Sequence, residues 1–258
     1  MYKKQRNEKA AAMKSAVVRC WVVMLSITCM PLAAQAQTAI RGLDAHASGI
    51  FLNAQGDVLT ARHAVAACKT IYATKDGRVV EATVRKVSHD LDLAVLNTSL
   101  KPYLSATFPL TVPNTNSSVG VFAEAYSVLQ RLPDRANLLS NAMTVPGDGG
   151  MQMLSGVKPG ASGSGVLSNA GLLLGVVVER VGSGSSVGNV TSSTMLSRAV
   201  AAGVPTGATL VRAIGAMQIK QFLREGDIQF AESDTPQLGP QQSPAARAAT
   251  LSVGIICG

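Results

Sequence analysis

Residues 158–167 read KPGASGSGVL, a glycine-rich turn that presents Ser162 just before an apolar run. Glycines allow the chain to turn tightly, so that neighbouring backbone N–H groups point at one spot. A serine hydroxyl in such a turn is a candidate nucleophile when a base lies within hydrogen-bond reach. The stretch therefore predicts Ser162 as a nucleophile, with the N–H groups of Gly160 and Ser162 as donors to a developing oxyanion.

Two earlier stretches supply a base and a carboxylate. Residues 59–65, LTARHAV, carry His63 from an apolar run onto a turn. Histidine suits the task of a general base because its unperturbed pKa lies near neutrality. Residues 87–96, VSHDLDLAVL, place Asp92 directly ahead of a second apolar run. A carboxylate beside an imidazole fixes the ring tautomer and stabilises its cation, so Asp92 is the predicted partner of His63.

These assignments have alternatives. Asp90 competes with Asp92, but Asp92 directly precedes the Leu-Ala-Val-Leu run, and Asp90 is expected to be solvated. His46 and His89 lack comparable flanks and are predicted to be surface residues. Taken singly, the histidine and the serine fit an ordinary structural interpretation, a core histidine and a turn serine. The order His, Asp, Ser with these flanks favours a catalytic triad instead.

Short apolar runs separated by glycine-containing turns predict many short strands. Three pairs of runs are expected to form hairpins, namely 49–52 with 58–61, 71–74 with 79–84, and 165–167 with 172–178. A helix is predicted over 216–225, because Ile219, Phe222 and Leu223 share one face and Gly226 follows. One last strand is predicted over 250–256.

Three polar segments are expected to lack regular structure. Residues 102–118, rich in Pro, Thr, Asn and Ser, are predicted to connect two halves of the molecule. Residues 182–193 are predicted to be a Gly/Ser-rich loop. Residues 233–246, rich in Pro, Gln and Ser, are predicted to be a linker.

The first 36 residues are predicted to be a removable signal peptide. A basic start leads into an apolar run over 20–27, and residues 34–36 form a small-x-small cleavage pattern. The alternative is a membrane anchor, but the run is short for a span of about 20 residues. The remaining chain has 17 basic and 14 acidic residues, a net charge of +3 that does not favour nucleic acid as a partner. We expect a periplasmic or secreted protein without a stable membrane anchor.

Two cysteines remain after this cleavage, Cys68 and Cys257. In an oxidising compartment they are expected to form a disulfide, and the alternative is two buried free thiols. The spacing of cysteine and histidine residues matches no zinc motif, so no metal site is expected.

The three catalytic stretches together resemble the chymotrypsin-like superfamily of serine peptidases, most closely its bacterial trypsin-like and HtrA-type branch. TARH at 60–63 resembles the Thr-Ala-x-His stretch of that family, DLAVL at 92–96 its Asp-[Ile/Leu]-Ala-[Leu/Val]-Leu stretch, and GASGS at 160–164 its Gly-[Asn/Asp]-Ser-Gly-[Gly/Ser] stretch. The resemblance covers about residues 45–226. It implies an all-β fold of two six-stranded Greek-key barrels with the triad between them, followed by a C-terminal helix.

The same resemblance implies a domain plan. A peptidase domain over 37–228 would hold barrel 1 at about 45–105, barrel 2 at about 117–215 and the helix at 216–226. Residues 229–258 would then be a linker and C-terminal tail, too short for the PDZ domain that some relatives carry.

The resemblance also implies a substrate site. Gly156 would lie near the base of the S1 pocket, with Val178, Glu179 and Arg180 along one wall. Since no acid stands at Gly156, a small or aliphatic P1 residue is expected.

Two residues depart from the family pattern. Ala161 stands where Asp or Asn is usual, and Gly165 stands where Pro is common. The expected function is a serine endopeptidase that acts on protein or peptide substrates and needs no cofactor. The alternative is a binding or scaffold protein with a peptidase fold that has lost efficient turnover.

Overall fold

The computed structural model describes residues 45–111, 117–146, 150–180 and 208–258. All of them belong to one unit, Leu43–Gly258. The predicted signal peptide and the predicted loop 182–193 lie outside the described residues. Within the described ranges, none of the helices combines the length and apolar character that a membrane crossing requires.

Short strands dominate the described part of the chain. The strands are β1 (Ala47–Phe51), β2 (Asp57–Thr60), β3 (Ile71–Lys75), β4 (Arg78–Val87), β5 (Ala94–Thr98), β6 (Thr107–Phe108), β7 (Gly120–Phe122), β8 (Ala142–Val145), β9 (Met151–Ser155), β10 (Gly165–Ser168), β11 (Leu173–Arg180), β12 (Thr209–Gly215), β13 (Ala231–Glu232) and β14 (Ser252–Cys257). The helices are α1 (Tyr126–Arg131), α2 (Ala216–Arg224) and α3 (Pro244–Leu251), with 3-10 turns at Arg62–Ala64 and Arg135–Asn137.

The strands form two closed six-stranded barrels, as the resemblance implied. The first has the cyclic order β1, β14, β3, β4, β5, β2, and the second β7, β8, β9, β12, β11, β10. All three predicted hairpins are confirmed as β1–β2, β3–β4 and β10–β11. The predicted helix is confirmed as α2. A short parallel pair, β6 and β13, lies outside both barrels.

The C-terminal segment differs from the predicted linker and tail over 229–258. It contains β13, α3 and β14, and β14 closes the first barrel between β1 and β3. Ser243 caps α3 by accepting a hydrogen bond from Ala246 N, and Pro244 follows in the first turn. The strand predicted over 250–256 is confirmed as β14. The linker and tail interpretation of 229–258 was wrong because it used local composition, whereas β14 pairs with strands about 180 to 210 residues earlier, at Ala47–Ile50 and Ile71–Thr74.

The two barrels have the same Greek-key order when β14 is taken as the opening strand of the first. In the second barrel the opening strand β7 lies between the second strand, β8, and the fourth, β10. In the first barrel β14 lies between β1 and β3 in the same way. The first barrel is therefore discontinuous in sequence, and it takes its opening strand from the end of the chain.

Successive side chains of a strand point to opposite faces and so belong to separate apolar clusters. In β1, Phe51 faces the interior of the first barrel, whereas Ile50 faces a larger cluster shared by both barrels and the helices. In β2, Val58 and Leu59 divide in the same way. The shared cluster includes Phe108, Phe122, Leu167, Ile219 and Phe222. This packing holds β2, β5 and β10 together, and those strands flank the site described next.

Candidate active site

His63, Asp92 and Ser162 lie in one hydrogen-bonded line, although 99 residues separate the histidine from the serine in sequence. His63 Nε2 is 3.0 Å from Ser162 Oγ, and His63 Nδ1 is 2.6 Å from Asp92 Oδ2. A carboxylate only accepts hydrogen bonds, so the proton of the neutral ring lies on Nδ1. Nε2 is then free to accept the serine proton.

The first barrel positions the histidine and the acid. His63 lies in the 3-10 turn that follows β2, and Asp92 lies just before β5, the partner of β2. The backbone joins the two a second time, because His63 N donates to Asp92 Oδ1 at 2.9 Å. Arg62 reinforces the junction by donating from its guanidinium to the carbonyls of Ser88 and His89. The acid therefore holds both the ring and the backbone of His63.

The pair is open to solvent on one side. The His63 side chain is 50% exposed and the Asp92 side chain 28% exposed. An open imidazole leaves room for a substrate to cover the site.

The turn between β9 and β10 positions Ser162. Gly160 and Gly163 have φ angles of 92° and 85°, a region that favours glycine. A Cβ on Gly163 would also lie 2.0 Å from the carbonyl oxygen of Ser48, so only glycine fits. Ser48 N donates to Ser162 O at 2.8 Å, which ties the nucleophile turn to β1.

Both departures from the family pattern have a physical explanation. Ala161 is 4% exposed and packs in the apolar cluster of the second barrel, where a carboxylate or amide would lose its hydration. A Cβ on Gly165 would lie 2.5 Å from Ile50 Cδ1 and 2.9 Å from Leu173 Cδ1. Proline has a Cβ, so it would require the ends of the Ile50 and Leu173 side chains to shift.

Glu124 lies beside the start of the nucleophile turn. Its carboxylate accepts a hydrogen bond from Ala125 N at 2.9 Å and faces the backbone N–H of Lys158. Burial raises the pKa of this carboxyl above its ordinary value, and the two N–H groups and the charge of Lys158 oppose that shift. The contact links the segment after β7 to the turn that carries the nucleophile.

A cleft of about 530 Å³ opens next to Asp92. Val178 and Glu179, two of the residues expected along the substrate site, line it. Gly156 follows β9 and is not among the residues that line this cleft. The backbone of Arg180 ends β11, and its side chain lies outside the described structure.

Sequence reasoning missed part of this cleft. Arg212 and Gln218 also line it, and Arg212 Nη1 donates to Glu179 Oε2 at 2.8 Å. Arg212 lies in β12 and reaches this cleft only because β12 pairs with β11. No local pattern around Arg212 indicates that role.

The predicted disulfide is present between Cys68 and Cys257 and joins the chain after the His63 turn to the end of β14. His46, exposed as expected, bridges the same two segments. Its Nε2 donates to Ala64 O at 2.9 Å and its Nδ1 accepts from Cys257 N at 3.2 Å. Although potential ligand atoms of His46, Cys68 and Cys257 lie within 4.8 Å of one another, the disulfide occupies both sulfurs.

Comparison with known proteins places the chain in a family. The sequence matches the model of the trypsin-like peptidase domain over residues 47–176. The structure is similar to that of the HtrA-type protease AlgW with a decapeptide, at 19% identity and a TM-score of 0.46, over 70% of this chain and 51% of that protein. It is also similar to the serine endoprotease from Yersinia pestis, at 19% identity and a TM-score of 0.45, over 70% and 57%. A search of curated proteins found no match.

The chain thus spans about half the length of these two proteases. The family match covers half of the present chain and includes His63, Asp92 and Ser162. On that match, the chain belongs to the family of proteins with a trypsin-like peptidase domain.

Proposed function

We propose that this protein is a serine endopeptidase that acts outside the cytoplasm and cleaves protein or peptide substrates. The observation that carries the proposal is the unbroken line of hydrogen bonds from Asp92 through His63 to Ser162. Each residue alone has an ordinary structural role, but a base between a nucleophile and an orienting carboxylate is the arrangement that activates a serine.

The geometry supports a two-stage reaction. Ser162 Oγ attacks the scissile carbonyl carbon while His63 Nε2 takes its proton, and Asp92 stabilises the imidazolium that forms. His63 then gives the proton to the leaving amine, which departs and leaves an acyl-enzyme. A water molecule, deprotonated by His63, hydrolyses the ester and regenerates Ser162. Every proton in this cycle is carried by a group of the protein, the substrate or water.

The backbone N–H groups of Gly160 and Ser162 are proposed as the donors that hold the tetrahedral oxyanion. The N–H groups that follow Ser162 in the turn are used elsewhere, since Gly163 N donates to Val177 O and Ser164 N donates to Ala161 O. Ala161 N donates to Lys158 O. These bonds support the assignment, because the N–H groups of Ala161, Gly163 and Ser164 already donate to carbonyls and are not available to the oxyanion.

Substrate contacts are proposed along the C-terminal end of β11. Val178, Glu179 and Arg180 would border the bound peptide, and Gly156 would lie near the base of the S1 pocket. Because Gly156 brings no charge to that pocket, we propose a preference for small or aliphatic P1 residues. The location outside the cytoplasm rests on the predicted signal peptide over 1–36 and agrees with the disulfide.

Digestion of a diverse peptide mixture tests this function. The mature protein is incubated with the mixture, and new termini are mapped by mass spectrometry. We expect cleavage within peptides, with small or aliphatic residues enriched at P1, and no cleavage by Ser162→Ala. A folded wild-type protein that leaves the mixture intact would contradict the proposal. Cleavage that persists in Ser162→Ala would remove Ser162 from the mechanism.

A further inference from the structure

The hydroxyl of Ser48 lies at the junction of the two barrels with no access to solvent. It donates to Gly160 O at 2.7 Å and accepts from Tyr126 N at 2.8 Å. The hydroxyl thus connects the nucleophile turn with the first residue of α1. Both bonds are made to backbone groups, and no water can replace them at a fully buried site.

Other bonds fix Ser48 from the side of the first barrel. Its carbonyl oxygen accepts from Thr60 Oγ1 at 2.7 Å, which links β1 to β2. Its backbone N–H donates to Ser162 O at 2.8 Å. Ser48 therefore contacts the carbonyls of both Gly160 and Ser162, the two residues proposed to supply the oxyanion donors, from a rigid strand of the other barrel.

The bond to Gly160 O adds a second restraint to the peptide group between Gly160 and Ala161, whose N–H already donates to Lys158 O. Gly160 has a φ of 92° and no Cβ, so steric clashes restrict its backbone less than that of other residues. A rotation about the Gly160 dihedrals would turn its N–H away from the oxyanion. The hydrogen bond from the Ser48 hydroxyl holds the Gly160 carbonyl and so opposes that rotation. Ala161 has no polar side-chain group that would do the same.

We propose that Ser48 is a positioning residue that holds the oxyanion donors in place through its side-chain hydroxyl, an inference that rests on the proposed peptidase function. Oxyanion donors are effective only when they are preorganised, because their reorientation during the reaction would cost part of the stabilisation. Ser48 touches no substrate atom. It acts through Gly160, and its loss should therefore lower turnover much more than substrate binding.

Ser48→Ala tests this role, with Ser243→Ala as the matched control. Ser243 is also buried, and its hydroxyl also accepts from a backbone N–H, that of Ala246, and donates to a backbone carbonyl, that of Arg135. It lies at the start of α3, outside the site. The two variants remove equivalent hydrogen bonds, so only the location differs.

Two measurements are compared between these variants. For Ser48→Ala we expect kcat to fall about tenfold or more, with KM changed less than threefold. A peptide aldehyde carries the oxyanion when it is bound, so we expect its affinity to fall by the same factor as kcat/KM. We expect hydrogen exchange over residues 156–166 to accelerate at least tenfold. Ser243→Ala should change neither kcat nor exchange in that segment by more than twofold.

The outcomes separate this inference from the proposed function. An active wild type with an unchanged kcat in Ser48→Ala, or with an equal loss in Ser243→Ala, overturns the positioning role and leaves the peptidase intact. Unchanged exchange over 156–166 in Ser48→Ala overturns it as well, whether or not the protein has activity. A wild type without peptidase activity refutes the proposed function, while faster exchange confined to that segment would still support the restraint by Ser48.

Discussion

At the scale of single residues, the site depends on which acid faces His63. Two acids in the same loop, Asp90 and Asp92, were candidates from sequence, and the structure places Asp92 Oδ2 at 2.6 Å from His63 Nδ1. Asp92 Oδ1 also accepts from the backbone N–H of the same histidine. The bidentate contact leaves His63 with one tautomer and one orientation, both of which the proposed mechanism requires.

Asp92→Asn should preserve the fold and remove most of the activity. An amide that donates to the ring stabilises the wrong tautomer, so we expect kcat to fall by about 10⁴-fold. Steady-state hydrolysis of a peptide substrate found in the library digest measures the change. Asp76→Asn, at an exposed turn residue with a positive φ that Asn tolerates, is the control and should have wild-type kcat. An equal loss in Asp90→Asn would show that the acid is assigned wrongly.

At the scale of elements, α2 and β13 are joined by an ion pair around a buried cation. Lys220 Nζ donates to Pro109 O at 2.8 Å and lies 2.9 Å from Glu232 Oε1. Its side chain is 7% exposed, so the ammonium depends on these partners in place of water. Arg224 adds a second cation, at 2.8 Å from Glu232 Oε2. The cluster fixes the end of the shared core beside β6.

Glu232→Gln should destabilise the protein in a pH-dependent way. The hydrogen bond from Lys220 is the largest influence and lowers the pKa of Glu232 below its ordinary value of 4.5. Burial opposes this shift, and the hydrogen bond and charge of Arg224 add to it. A lowered pKa means that the carboxylate stabilises the fold above about pH 4.5 and that this contribution disappears as pH falls through the lowered pKa.

Thermal unfolding at a series of pH values measures this effect. We expect a lower Tm for Glu232→Gln than for wild type at pH 7, and a difference that shrinks towards zero at pH 3. Glu225→Gln removes an exposed acid that is bonded only to Gln221 in the described structure and should have little effect at any pH. A difference that stays constant from pH 7 to pH 3 would rule out the ion pair as its cause.

At the scale of the whole molecule, the end of the chain completes the barrel that carries His63 and Asp92. β14 pairs with β1 and β3, and the Cys68–Cys257 disulfide joins positions separated by 189 residues. A crosslink across so long a loop lowers the conformational entropy of the unfolded chain. Such disulfides raise the free energy of unfolding by about 2–5 kcal/mol in comparable proteins. Closure of the first barrel therefore depends on β14.

The double variant Cys68→Ser/Cys257→Ser tests that dependence. We expect its free energy of unfolding to be about 2–5 kcal/mol below that of the oxidised wild type. Urea unfolding followed by circular dichroism measures the loss. Reduction with dithiothreitol should bring the wild type to the same midpoint and leave the variant unchanged. Equal midpoints for the variant and the oxidised wild type would show that the crosslink does not hold β14 in place.

Sequence reasoning succeeded where the signal was local. The hairpins appeared as paired apolar runs around glycine turns. The stretches around His63, Asp92 and Ser162 carried their own flanks, and the fold brings the three side chains into hydrogen-bond contact, while their catalytic role stays a prediction. It failed where a role depends on pairing between distant segments. The strand over 250–256 was predicted and is confirmed as β14, but its place in the first barrel was not, because its partners β1 and β3 lie near the start of the described chain. The helix α3 was not predicted. Ser48 and Arg212 gave no signal, since their contacts exist only after β1 meets the nucleophile turn and β12 meets β11.

In the proposed mechanism, His63 and Asp92 activate Ser162 in the folded protein. Reaction with a fluorophosphonate, followed by intact-mass spectrometry and peptide mapping, tests it most directly, because this reagent phosphonylates serines that a neighbouring base has activated. We expect a single adduct on Ser162 that disappears in Ser162→Ala and forms far more slowly in His63→Ala. A folded wild-type protein that gains no adduct, or gains it at another residue, would contradict the claim.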